Sequence, residues 1–176
     1  MLRSGGRREQ TARPGSRPSP VRRRLPGDLT TGDFLHGLLD TTRAALPPEL
    51  QGLEARQQGS LVKLFADDPA IHFELWLHRS RARIELGLHF ETRDARRNQR
   101  LLAYVADELV FLKQALGEGI EAEPWDKGWA RVYLTQPLTR LGPAEQARLA
   151  RAFATLIETL EPIRREAIEA TAAHNP

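Results

Sequence analysis

The sequence has no cysteine. Disulfides, thiolate nucleophiles and metal–thiolate centres are therefore excluded. No apolar run approaches the roughly 18 residues of a membrane helix, and no apolar stretch follows the basic start. The expectation is a cytoplasmic chain with no membrane segment and no signal peptide. Lysine is scarce, with three against 23 arginines, a bias that fits a GC-rich bacterial genome. The P-loop, the G-x-S-x-G elbow, the H-E-x-x-H pair and the Rossmann glycine pattern are all missing. A non-catalytic role is therefore favoured over an enzyme, and no cofactor is expected.

What is present is unevenly spread over 176 residues, enough for one domain with a real core. Residues 1–27 hold eight arginines and one glutamate, a formal +7, which leaves −4 for the rest of a chain whose total is +3. The basic character thus belongs to an Arg/Pro-rich tail too poor in apolar residues to offset its ordering entropy, and disorder is expected there. Arg7, Arg8, Arg22, Arg23 and Arg24 could tether nucleic acid or an acidic partner, although no aromatic residue is interleaved to stack on bases. Residues 28–170 read as a single domain and 171–176 as a frayed end.

The centre of that domain is the segment Ile71 to Glu91. Ile71, Phe73, Leu75 and Leu77, then Ile84, Leu86, Leu88 and Phe90, alternate with polar or small residues, the signature of two half-buried strands. Apolar must oppose apolar. A four-residue loop at 79–82, expected to need no positive φ, pairs Leu77 with Ile84 and Ile71 with Phe90. Leu61 to Phe65 reads as a third strand, and residues 49–60 as a polar connection. A second hairpin, Ile120 to Thr135, turns at Asp126-Lys127-Gly128 and pairs Trp125 with Trp129, Glu123 with Arg131, and Glu121 with Tyr133. Helical spacing marks residues 31–46, one long helix from about 95 to 116, and a helix starting at Pro143 that Pro162 should kink or end. The expected fold is α+β, in the order α-β-β-β-α-β-β-α. Its five-stranded, mostly antiparallel sheet carries its helices on one face.

Reactive groups gather on the polar face of that sheet. His72, Glu74, His89 and Glu91 form two His-x-Glu pairs that the hairpin register brings together, and imidazole with carboxylate suits zinc or a similar metal. A metal-dependent enzyme is one reading, but an ordinary solvated face is the expectation. Glu74, Glu85, Glu121 and Glu123 offer carboxylates for acid–base work only if a cleft encloses them. Trp76, Trp125, Trp129, Arg131 and Tyr133 on the same face fit a partner-binding surface, for an unknown protein or a second copy in a homodimer. The alternative is that these rings pack among themselves or beneath the N-terminal helix.

Two resemblances follow. Over residues 29 to about 160, the order of elements resembles that of small bacterial type III secretion chaperones, which implies a homodimer that binds extended client segments. The run from RIELGLHFE through LGEGIEAEPWDKGWARVYL is similar to a bacterial domain of unknown function. There too a strand precedes a long helix, LG, an acidic strand, Trp and an Arg-bearing strand. Neither resemblance carries over site residues.

Overall fold

Alternation at period two produces two long paired strands, β3 (Ile71–His78) and β4 (Arg83–Phe90), in the computed structural model of the chain, which describes residues 27–172. The expected disorder of the tail and its five singled-out arginines concern residues outside the described ones. The β3–β4 register pairs Ile71 with Phe90, His72 with His89 and Leu77 with Ile84, as the apolar matching requires. The loop between them departs from expectation. Ala82 takes φ +47°, so a left-handed residue is needed there after all.

Among the described residues the sheet has six antiparallel strands, not five, in the order β1 (Glu54–Gln58), β2 (Leu61–Phe65), β3, β4, β6 (Ala130–Pro137), β5 (Glu121–Pro124). The extra strand is β1, which lies in the stretch read as a connection and pairs with β2. It is an edge strand, exposed almost throughout, so it needs no apolar alternation and shows none. β5 forms the opposite edge against β6, and the 126–128 turn places both Lys127 (φ +59°) and Gly128 (φ +78°) in left-handed backbone. A methyl group on Gly128 would stand 2.7 Å from Ala95 Cβ, so glycine also lets this turn lie close to the start of a helix.

Among the described residues, four α-helices complete the fold. α1 (Thr31–Ala45) starts at an N-cap where Thr30 Oγ accepts from the Asp33 N–H. Asp94 caps α2 (Ala95–Asp107) by accepting from the Arg96 and Arg97 N–H groups. The single helix expected over 95–116 is two, because α2 ends at Glu108 and α3 (Leu109–Leu116) begins there. α4 (Pro143–Ala172) runs straight through Pro162 in sequence, and Thr171 bonds back to the Ala167 carbonyl near its end.

One core joins the apolar sides of these layers. Phe73, Leu75, Leu86, Leu88 and Val132 from the sheet are fully buried together with Leu101, Val105, Phe153 and Leu156 from α2 and α4. α1 packs on α4, so it does not cover the polar side of the sheet.

Candidate functional site

Strand register lays the polar side of the sheet out as a grid. One row runs Lys63, Glu74, Gly87, Tyr133, Glu121 across β2, β3, β4, β6 and β5. The row on one side is His72, His89, Arg131, Glu123, and that on the other is Leu61, Trp76, Glu85, Thr135. Trp125 and Trp129 close the end of the β5–β6 hairpin, with the Trp125 N–H donating to the Trp129 carbonyl at 2.7 Å.

The solvated face expected here is absent. His72 and His89 are 0% exposed, and Glu74 and Glu85 are 2% exposed. Alternation reports which side a residue faces, not how deep it lies, and the long side chains of neighbouring strands cover one another. The two imidazoles stack with centroids 5.5 Å apart. His72 Nε2 lies 3.3 Å from Glu74 Oε2 and 4.0 Å from Glu91 Oε2. His89 Nε2 lies 3.9 Å from Glu74 Oε1 and 3.8 Å from Glu85 Oε1, and its Nδ1 is 3.8 Å from Glu91 Oε1. Lys63 Nζ sits beside both acids, 2.7 Å from Glu91 Oε2 and 3.6 Å from Glu74 Oε2.

Protonation follows from these neighbours. His72 Nδ1 lies 3.0 Å from the Pro69 carbonyl, which can only accept, so Nδ1 carries a proton. Burial lowers the His72 pKa, and the facing Glu74 offsets only part of that. Glu74 and Glu91 are raised by burial, but the facing imidazoles and the Lys63 ammonium outweigh it. Both end below the usual carboxylate range, Glu91 at about 2. His78, 3.6 Å from Glu85, is also held down by burial, with Arg83 and Arg81 adding to the effect.

Above and beside this cluster lies an aromatic roof. His89 meets Trp125 edge-on with centroids 5.3 Å apart, Trp125 packs on Trp129 at 5.9 Å and on Trp76 at 6.5 Å. The Arg131 guanidinium lies 4.8 Å from the Trp125 centroid and 4.0 Å from that of Tyr133. Two acids clamp it, Glu123 at 2.6 Å and Glu85 at 2.8 Å. Tyr133 donates its hydroxyl to Glu121 at 2.8 Å, and burial together with that acid pushes the phenol up to about 12. All five aromatic-face residues singled out from sequence are therefore brought together, and Trp76, Trp125, Trp129 and Tyr133 each stay half-buried.

Two contributors, Lys63 and Asn98, escaped sequence reading, and Glu85 was read in another role. Lys63 looked like a polar residue in a short strand, yet it holds the two metal-type carboxylates. Glu85 looked like one acid among several, yet it anchors Arg131. Asn98, on the first turns of α2, is fully buried. Its amide donates to the Thr92 and Gly128 carbonyls, both at 3.0 Å, while its oxygen accepts from the Thr92 N–H and hydroxyl. That latch ties the 126–128 turn, and so the Trp125–Trp129 pair, to the end of β4. A polar residue within an otherwise apolar stripe was the available signal. The arginines near the start of α2 have their own partners, Asp68 for Arg97 and Asp94 for Arg100.

No protein-family model matches this sequence, and no curated protein does. Among solved structures, the chain is similar to one from the HopA1-SchA chaperone–effector complex, at 23% sequence identity and a TM-score of 0.41, over 75% of this chain and 94% of that one.

Proposed function

We propose that this is a non-catalytic, chaperone-like interaction protein whose binding surface is the aromatic roof on the polar side of the sheet. The observation that carries the reading is the grouping of Trp76, Trp125, Trp129 and Tyr133, half-buried, around one doubly clamped arginine. Trp, Tyr and Arg are the residue types that dominate binding energy at protein interfaces. The Glu85–Arg131–Glu123 clamp fixes the surface before a partner arrives, which reduces the ordering cost of binding.

Competing surfaces fit less well. The β5 edge is four residues long and ends in Pro124, and the β1 edge, Glu54–Gln58, is polar; both are features that discourage strand addition. Glu74 and Glu85, the carboxylates beside His89, are 2% exposed and lie under other side chains, which does not favour acid–base catalysis there. The occupant of the roof is a protein segment, and a second copy of this chain is one such occupant.

Two measurements test this. Light scattering across a range of concentrations reads self-association, and a dimer built on the roof becomes monomeric in Trp129→Ala. For a different partner, the full chain and a Trp125→Ala/Trp129→Ala double variant are compared in co-purification, with circular dichroism as the fold control. The same protein recovered equally with both would sink the reading.

A further inference from the structure

Beneath the roof lies a feature that partner binding leaves unexplained. His72, Glu74, His89 and Glu91 each present a ligand atom within 4.8 Å of all the others. Polar groups buried this deeply are normally hydrogen-bonded. Here neither ring nitrogen of His89 has a hydrogen-bond partner, and Glu74 Oε1 has none either. His72 shows a second mismatch. With its proton on Nδ1 toward Pro69, a neutral ring turns the Nε2 lone pair on Glu74 Oε2 at 3.3 Å, one acceptor against another. Only a proton or a cation between the two atoms relieves that contact.

We propose that His72, Glu74, His89 and Glu91 bind one divalent transition-metal ion, with zinc the best fit to this set of two imidazoles and two carboxylates. Ligands at about 2.0–2.2 Å from a tetrahedral ion lie about 3.3–3.6 Å apart. His72 Nε2 and Glu74 Oε2, 3.3 Å apart, are already at that spacing, and the wider separations, all within 4.8 Å, close if the side chains draw in by less than about an ångström each. The Pro69 carbonyl already holds His72 in the tautomer that ligates through Nε2, the usual role of an outer partner to a metal-bound histidine. Four protein ligands leave no open position, so the ion ties β3 to β4 and supports the Trp125 roof; it does not activate water. Lys63 is its competitor, since the ammonium bridges the same two acids. Lys63 and Glu91 are also the exposed lip of the cluster, at 26% and 14%, and this is where an ion enters.

Zinc titrated into the full chain, after chelator stripping and dialysis, tests the proposal by calorimetry. One equivalent binds. Affinity falls at least about tenfold in Glu74→Gln and in His89→Gln, and rises in Lys63→Met, where the rival cation is gone. Cobalt(II) at one equivalent gives the intense visible bands of a tetrahedral ion. Failure of the parent chain to bind one equivalent overturns the proposal. So does parental affinity in both Glu74→Gln and His89→Gln, which places the ion elsewhere, or a pale octahedral cobalt spectrum. Lys63→Met alters only the half-exposed lip, so it reads the competition even if a buried variant fails to fold, and an unchanged affinity there counts against the site.

Discussion

Gly87 leaves β4 and β6 no room for a methyl group. A Cβ there would stand 2.8 Å from Tyr133 Cβ and 2.8 Å from the Val132 carbonyl oxygen, and backbone on the neighbouring strand cannot swing aside. Gly87→Ala therefore destabilises the protein by about 1–3 kcal/mol, read by urea denaturation, and disturbs the row holding Glu74 and Tyr133. The alternation of residues 84–90 shows that position 87 lies on the polar side, so this part of the site was legible. The burial of its neighbours was not. His72 and His89 look like surface residues in any strand pattern, and only their cover, supplied by Lys63 of β2, Arg131 of β6 and Trp125 at the turn after β5, puts them in the dark. Pairwise register could be argued from apolar matching; which long side chains fold over which could not.

Among the elements, β1 and α4 show two different limits of pattern reading. β1 carries no alternation because an exposed edge strand has no dry side. α4 is strongly patterned, and Pro162, expected to kink or end it, does not end it. Proline removes one backbone hydrogen bond and crowds the preceding turn, and side-chain bonds close by support the helix. Glu161, 3% exposed, accepts from Arg164 at 2.6 and 2.8 Å and from Arg165 at 2.8 Å. Burial raises its pKa, but the two guanidinium groups outweigh this, and the net shift is downward. A carboxylate with a lowered folded pKa contributes stability that is complete above its unfolded pKa and is lost as pH falls through the folded one. Glu161→Gln should accordingly cost about 3 kcal/mol near neutral pH, because it leaves Arg164 buried without its charge partner. The gap between parent and variant narrows as pH falls below about 4.5. Denaturation at a series of pH values measures it, and a gap independent of pH contradicts the ion-pair explanation.

The whole molecule divides its charge between a tail of formal +7 and a remainder of formal −4. Among the described residues no helix is long and apolar enough to cross a membrane. The positive charge of the sequence is concentrated in residues 1–27, so we propose that binding to duplex DNA weakens steeply with salt and disappears on deletion of residues 1–27. Binding that survives the deletion assigns it to the domain instead. The architecture of that domain, with helices on the apolar side of the sheet and an aromatic roof on the other, leads to one decisive comparison. A photo-crosslinking residue is placed in cells at Lys127, which lies 5.0 Å from the Trp129 centroid, or at Glu54 on the β1 edge, or at Phe111 on α3, 51% exposed. The account predicts a discrete crosslinked protein partner from position 127 and none from 54 or 111. Crosslinks confined to 54 or 111, with position 127 silent, would contradict it.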